Sequence, residues 1–188
     1  MRHVMMVFAS IFLAALVAVG GMSLAPPAAE AASKGYVKKC GGGKILLNAK
    51  EKETFLRHNK IRRDRNLRAF CVNPALQRAA RAHSRDMIRR DYFSHDTKGR
   101  YTFDRRLIRF GYSPKGYKSY TTGENIAYGS GSYGAPKNRM NSWMKSPGHR
   151  NNILESKFRE IGVGTYTGTF KGKKGVTMYT VDFGARRK

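Results

Sequence analysis

The chain has 188 residues, and its 37 Lys and Arg residues against 12 Asp and Glu residues give a formal net charge of +25 at pH 7. This length allows one domain with a hydrophobic core, and no internal repeat or low-complexity block in the sequence indicates a second domain. Such a charge attracts polyanions, namely anionic lipid headgroups, anionic wall polymers or nucleic acid, and by itself does not choose among them.

The first 31 residues have the pattern of an export signal. Two polar residues, Arg2 and His3, precede an apolar run over residues 4–19, and a small-x-small cleavage pattern ends at Ala31. A permanent membrane anchor is the alternative, because the uncharged stretch is long enough to span a bilayer. Glycines and prolines interrupt its second half, so we expect a signal peptide over residues 1–31 and a secreted or cell-wall-associated mature protein.

The mature part contains two cysteines, Cys40 and Cys71. Because an exported protein reaches an oxidising environment, we predict a disulfide between them. Two free thiols or a catalytic role are the alternatives, but neither cysteine lies in a CxxC pair. Residues 32–47 around Cys40 are rich in Lys and Gly, which indicates an extended, partly mobile leader.

A first helix is predicted from Asn48, where Glu51 three residues later completes a capping box, to about Arg65. Four residues share one face of it at helical spacing: Phe55, His58, Asn59 and Arg62. Such polar residues on an inward face leave two possibilities. Either the helix packs at the edge of the core, or these groups make specific buried hydrogen bonds.

A second helix is predicted to begin with Asn73 as its cap and Pro74 as its first residue, and to end near Asp91. Its inward stripe consists of Leu76, Ala80, His83 and Met87, and its opposite face carries Arg78, Arg81, Arg85 and Arg89. We interpret His83 as a hydrogen-bonded core histidine. The arginine row is a solvated face or, alternatively, an anion-binding surface.

The remaining elements follow in short segments. We predict a third helix over residues 102–110, an extended segment over 120–128, a Gly/Ser/Tyr loop over 129–134, and a fourth helix from Pro136 to about Ser146. Two strands over residues 160–167 and 176–183 are predicted to close the domain, joined by a hairpin tip with a basic surface. Helices first and a hairpin last indicate an α+β fold.

Three short segments carry the residues best suited to chemistry. They are Tyr92-Phe93-Ser94-His95, Gly123-Glu124-Asn125-Ile126-Ala127 and Ser146-Pro147-Gly148-His149-Arg150-Asn151-Asn152. Two imidazoles and a carboxylate, each beside a turn or a helix boundary, are enough to bind a metal or to perform acid–base chemistry if they share a cleft.

These segments belong to a longer series of motifs. In chain order the series is His58-Asn59-x-x-Arg62, the segment ending in His95, the segment around Glu124, Trp143-Met144-x-Ser146-Pro147-Gly148-His149-Arg150, Ile161-Gly162-Val163-Gly164 and Tyr179-Thr180-Val181-Asp182-Phe183-Gly184. The series resembles the CAP superfamily of cysteine-rich secretory proteins, antigen 5 and pathogenesis-related proteins, and most of all its bacterial secreted branch. The resemblance runs from about Asn48 to Gly184.

The resemblance implies an α+β fold arranged as a three-layer α-β-α sandwich with a small antiparallel sheet. The domain would cover residues 48–184, followed by a basic tail over 185–188. The resemblance also implies a cleft of two histidines and two acids, with His95 and His149 as the histidines and Glu124 as the first acid. The position of the second acid corresponds to Ser146, which carries no charge, so we expect a three-residue site with Ser146 and Asn125 at its border.

The resemblance further implies a non-enzymatic extracellular module that binds a lipid or a cell-wall component. Members of the family bind divalent cations at the histidine pair, so Zn²⁺ or another divalent cation is expected between His95 and His149, with Glu124 as a ligand or as a partner of one imidazole. A purely structural hydrogen-bonded network is the alternative for the trio.

The alternative function is a metal-assisted hydrolase of peptide, glycan or ester bonds, in which Glu124, His149 and His95 would be catalytic. The sequence has no Gly-x-Ser-x-Gly nucleophile elbow, and a helix cap explains Ser146 equally well. Nucleic acid ranks last among the partners, since export and the lack of a recognisable nucleic-acid motif argue against it. The oligomeric state stays open.

Overall fold

The computed structural model describes residues 33–188, so the predicted signal peptide lies outside the described residues. The helices are α1 (Ala49–Arg63), α2 (Pro74–Arg89), α3 (Phe103–Arg109), α4 (Pro136–Lys145) and α5 (Pro147–Leu154), with a 3-10 turn at Gly131–Gly134. The strands are β1 (Gly35–Lys38), β2 (Lys44–Leu47), β3 (Cys71–Val72), β4 (Ser119–Ser130), β5 (Glu160–Phe170) and β6 (Lys173–Arg187). Within the described part of the chain, none of these helices has both the length and the hydropathy to cross a bilayer.

The main sheet has four strands in the order β3-β5-β6-β4. The long strand β6 pairs antiparallel with both neighbours, while the short β3 pairs parallel with β5, so one parallel pair belongs to the otherwise antiparallel sheet that the resemblance implied. The register places Glu124 of β4 directly opposite Asp182 of β6. Because successive side chains alternate between faces, Glu124 and Asp182 share one face and Asn125 lies on the other.

Helices cover both faces of this sheet, which gives the predicted α-β-α sandwich. On one face α2 lies against β5, where Gly162 and Gly164 leave room for its backbone. On the other face a large apolar cluster joins the sheet to α1, α4 and α5, with Phe183, Trp143 and Ile153 among its buried members. The core is therefore divided by the sheet, and the two helical layers meet at its edges.

The polar face of α1 makes specific buried hydrogen bonds, which decides between the two possibilities for it. Asn48 and Glu51 form the predicted capping box. The Arg62 guanidinium, fully buried, donates to four backbone carbonyls, those of Arg68, Ile153, Glu155 and Phe158. His58 and Asn59 also bond backbone groups in the interior. The side chains of Asn59 and Arg62 thus tie α1 to the segments that precede β3 and β5.

The second helix also matches its prediction. Asn73 caps it, the expected inward stripe is buried, and His83 Nε2 donates to the Ser94 carbonyl at 2.8 Å. The arginine row is not a uniformly solvated face, because Arg81 forms a two-point ion pair with Glu51 at the N-terminus of α1. Because the Glu51 side chain is buried, this ion pair contributes more to stability than a fully exposed pair would.

The residues before α1 form a hairpin instead of an extended leader. Strands β1 and β2 pair antiparallel, and all three turn glycines, Gly41–Gly43, have positive φ, a conformation that favours glycine. The predicted disulfide between Cys40 and Cys71 is present and joins this hairpin to β3. Val37 and Leu47 are buried against the main core, which explains why the segment is ordered.

One helix was not predicted, and two strands extend beyond their predicted limits. The fourth helix was predicted to end near Ser146, whereas Pro147 begins a further helix, α5, since proline is well suited to the first turn of a helix. Strands β5 and β6 continue towards a tight turn at Lys171 and Gly172. At its other end β6 pairs with β4 as far as Arg187, so most of the basic tail is strand.

Candidate functional site

His95 lies in the loop that follows α2 and points toward β4. Its ring nitrogen Nδ1 donates to Glu124 Oε1 at 2.8 Å, and its side chain is 55% exposed. The backbone around it is held on two sides, because Arg106 Nη1 donates to the His95 carbonyl at 2.7 Å and His83 bonds the carbonyl of Ser94. The imidazole is thereby presented from a fixed loop with its outer edge open to solvent.

Glu124 occupies the centre of the site and is almost completely buried. Its Oε1 accepts from His95, and its Oε2 accepts a charge-assisted hydrogen bond from Arg106 of α3, a side chain that is only 3% exposed. The sequence prediction missed Arg106. In a chain with 37 Lys and Arg residues, no local pattern distinguishes the one that turns inward.

A second acid does lie beside Glu124, although not at the position of Ser146. Asp182 of β6 faces Glu124 across the strand pair and is fully buried. Neither of its oxygens has a hydrogen-bond partner within residues 33–188. The sequence did indicate Asp182, because it lies between Val181 and Phe183 in a buried strand, and burying a carboxylate is costly unless another interaction compensates for it.

Burial dominates the protonation of this carboxyl pair. It raises the pKa of Asp182 well above the ordinary value, and the adjacent Glu124 charge raises it further. Burial also raises the pKa of Glu124, while Arg106 opposes that rise. We conclude that Asp182 holds the proton and Glu124 carries the charge, because only Glu124 is paired with a guanidinium.

His149 reaches the site from the other helical layer. It lies in the first turn of α5, where its Nδ1 and the Ser146 hydroxyl are hydrogen-bonded at 2.8 Å. Asn125 Nδ2 donates to the His149 carbonyl at 3.0 Å, and Asn152 donates to both Asn125 Oδ1 and the Glu124 carbonyl. Ser146 occupies the N-cap position of α5, but its hydroxyl contacts the imidazole of His149 and not the helix backbone.

These contacts arrange the predicted cleft residues around the outer strand β4. Glu124 meets His95 on one face of the sheet, and Asn125 meets α5 on the other. Burial and then the Arg106 charge lower the pKa of His95, while burial and then the His95 charge lower the pKa of His149. Both imidazoles are therefore neutral at pH 7, which is the form that binds metal ions.

The atoms available to a divalent cation are few. With Nδ1 of each ring engaged, Nε2 is the remaining ligating atom, and the contact from Glu124 to His95 is the carboxylate–histidine support common at metal sites. In residues 33–188 no group of three or more His, Cys, Asp or Glu side chains is placed to hold a metal ion. Two imidazoles would leave most of the coordination sphere to water or to a ligand, unlike catalytic zinc with three protein ligands.

The Ser146–His149 contact does not by itself make a hydrolytic pair. The two residues are three apart at the start of one helix, the spacing at which a capping residue and the third helical side chain meet. Within the described residues, His149 has no carboxylate bonded to its ring that would orient it as a base. The contact is explained by local helix geometry.

An α-β-α sandwich whose outer strand carries a Glu-Asn pair between two histidines defines a class of extracellular domain, the SCP or CAP domain. The model of the cysteine-rich secretory protein family, CAP, matches residues 55–183. The chain belongs to this family.

Two relatives from Bacillus subtilis share part of the chain. The uncharacterized protein YkwD is 36% identical over 118 residues, which is 63% of this chain and 43% of YkwD. The uncharacterized membrane protein YlbC is 30% identical over 122 residues, 64% of this chain and 33% of YlbC. The matched region thus spans less than half the length of each relative.

Solved structures show the same fold. An extracellular protein containing an SCP domain from Bacillus anthracis superposes with a TM-score of 0.61 at 27% identity, covering 78% of this chain and 47% of that one. An outer surface protein from Borrelia burgdorferi has a TM-score of 0.60 at 20% identity, covering 75% of this chain and 97% of the other. At that lower identity the likeness concerns the fold alone.

Proposed function

We propose that this protein is a secreted, non-enzymatic binding module that captures a lipid or a cell-wall component, and that its cleft holds a divalent cation between His95 and His149. The proposal rests on one observation, namely which atoms of the cleft side chains are already hydrogen-bonded. Both oxygens of Glu124 are engaged, by His95 and Arg106, and the Ser146 hydroxyl is engaged by His149. What remains to meet a ligand is the outer edge of two neutral imidazoles.

This arrangement suits binding better than turnover. A general base must be free to take a proton, whereas Glu124 is held in an ion pair with a buried guanidinium. The export pattern of residues 1–31 and the extracellular SCP-domain relative support secretion. The net charge of +25 adds attraction to the anionic lipids and wall polymers that such a protein would meet.

Zinc titration by calorimetry tests the cation. We expect the parent protein to bind Zn²⁺ weakly and the His95→Ala/His149→Ala variant to bind it at least tenfold more weakly, because the two ligating nitrogens are gone. The control is Glu53→Ala/Arg57→Ala, which removes a solvent-accessible ion pair on α1 away from the cleft. Equal heats for the parent and the histidine variant would remove the cation from the proposal.

Retention on anionic vesicles and on isolated wall fragments tests the binding role. We expect retention at near-physiological salt and release as salt rises, since the attraction is largely electrostatic. No retention even at low salt contradicts the proposal. Zinc-dependent turnover of peptide, glycan or ester substrates that is lost in Glu124→Ala and His149→Ala would replace it with the hydrolase.

A further inference from the structure

A second candidate binding site lies at the end of the sheet, away from the histidine cleft. A groove of about 620 Å³ is found where β4 begins and β6 ends. Its lining includes five basic side chains, Arg68, Lys157, Arg159, Arg186 and Arg187, and the hydroxyls of Ser119 and Thr121. We call it the basic groove. Thr121 precedes Glu124 by three residues, about 10 Å along the strand, so the groove and the cleft are separate.

Most of the charges of the basic groove are uncompensated. Arg186 pairs with Glu160, but none of the other four basic side chains forms an ion pair within residues 33–188, and no carboxylate lines the groove. The two nearest acids along the chain are already engaged. Glu155 accepts from the backbone of Lys157, and Glu160 accepts from Tyr112 and Arg186. Like charges around one cavity repel, so an anionic ligand would stabilise the arrangement.

The shape of the basic groove favours an elongated ligand. A smaller lobe of about 280 Å³ continues it toward the disulfide, lined by Lys38, Phe70 and Cys71, and the two lobes share Arg68 and Arg159. Guanidinium groups bind phosphate oxygens through two parallel hydrogen bonds, and the hydroxyls supply further donors. The lining is therefore suited to several phosphate groups in a row.

The absence of stacking surfaces argues against nucleic acid as the occupant. Sites for single strands combine basic side chains with exposed aromatic rings on which bases stack. The main lobe has no aromatic side chain in its lining, and Phe70 beneath the smaller lobe is only 3% exposed. The groove offers contacts to a phosphate chain and none to a base.

We propose that the basic groove binds a linear phosphate polymer without bases, such as polyphosphate or poly(glycerol phosphate). The arginine row of α2 is a weaker candidate for the same ligand, because the cavity beside it contains Glu51, which already pairs with Arg81. The proposal goes beyond the cleft and gives the wall-component role a site of its own.

The proposal is tested by measuring the binding of short-chain inorganic polyphosphate. The chain should be long enough to span both lobes and too short to surround the molecule. The variant is Arg68→Gln/Arg187→Gln, since neither side chain makes a hydrogen bond within residues 33–188. The matched control is Arg85→Gln/Arg89→Gln, which removes the same charge from exposed positions on α2. Affinity is measured over a series of salt concentrations, with poly(glycerol phosphate) and single-stranded DNA as parallel arms.

We expect one-to-one binding that the groove variant weakens at least tenfold, with the slope of log affinity against log salt smaller by about two, roughly one for each cation removed. The control should change affinity by less than about threefold. Groove-dependent binding of either phosphate polymer supports the proposal and identifies which form is preferred. Equal losses in both variants, or tighter groove-dependent binding of single-stranded DNA, overturn it. If the parent protein binds neither phosphate polymer but keeps its vesicle retention and zinc heats, this proposal alone is overturned.

Discussion

At the scale of single residues, the most unusual feature is a buried carboxyl pair with one guanidinium in a strongly basic chain. Glu124 and Asp182 face each other across β4 and β6, and Arg106 pairs with Glu124 only. One buried positive charge balances one carboxylate, so the second carboxyl group is stable only when protonated. This arrangement holds Glu124 in position and, through it, the ring of His95.

The pH dependence of stability tests the protonated state of Asp182. Its pKa is raised in the folded protein, so its contribution to the free energy of unfolding is full below the unfolded pKa of about 4 and is lost as pH rises through the folded pKa. Asp182→Asn removes this loss of stability at higher pH, because an amide side chain does not ionise. Relative to the parent, the variant should gain about 1 kcal/mol or more between pH 4 and 7.

Urea unfolding of both proteins over this pH range, with a chelator present to exclude metal effects, measures the difference. The control is Asp64→Asn, which changes an exposed carboxylate at the end of α1. If the free energy of unfolding changes with pH in the same way for the parent and for Asp182→Asn, then Asp182 is ionised in the folded protein.

At the scale of elements, the contact between α2 and β5 determines how the first helical layer sits on the sheet. A Cβ added to Gly164 would lie 2.2 Å from the backbone carbonyl carbon of Ala80, and one added to Gly162 would meet Leu76 equally closely. Backbone atoms cannot move aside as a flexible side chain can. These two glycines therefore allow a helix-to-sheet distance that no larger residue permits, and α2 in turn supports the loop of His95.

Replacing one of these glycines tests that dependence. We expect Gly164→Ala to reduce the free energy of unfolding by about 3 kcal/mol, because α2 must move away from the sheet. Gly148→Ala is the matched control, since nothing lies within 4 Å of its added Cβ. That control should stay within about 1 kcal/mol of the parent. Chemical denaturation of the three proteins makes the comparison, and equal stabilities would contradict the close packing.

At the scale of the whole molecule, the disulfide compensates for the small size of the first hairpin. Two four-residue strands have little stability by themselves. The bond between Cys40 and Cys71 closes a separation of 31 residues and attaches the hairpin to β3 at one edge of the main sheet. It also lies beside the smaller lobe of the basic groove. The hairpin thus becomes part of the domain through one covalent link and a few buried apolar side chains.

Removal of the disulfide should lower the stability of the entire domain. On the chain-entropy model, Cys40→Ala/Cys71→Ala loses about 3–4 kcal/mol of unfolding free energy. Denaturant unfolding of the variant and of the parent, each with and without reductant, measures this. Reductant should lower the stability of the parent and leave the variant unchanged. A variant as stable as the oxidised parent would mean that packing and the backbone hydrogen bond from Cys40 to Val72 hold the hairpin without the disulfide.

Features that depend on neighbouring residues could be predicted from the sequence alone. Capping residues located the starts of α1 and α2, two cysteines in a chain with an export pattern indicated the disulfide, and the order of six motifs indicated the family and the three-layer fold. His95, Glu124 and His149 were identified for the same reason, because each lies in a short recognisable segment. These signals are local, and the chain carries them whether or not it is folded.

Only the tertiary structure decided which distant groups meet. Arg106 was hidden among 37 basic residues, and Asp182 was visible in a motif but had no partner until β4 and β6 were aligned. The basic groove likewise arises from contacts between segments far apart in the chain. Burial, pairing and the sharing of a proton depend on three-dimensional proximity, and hydrophobic and hydrogen-bond patterns along a sequence do not specify it.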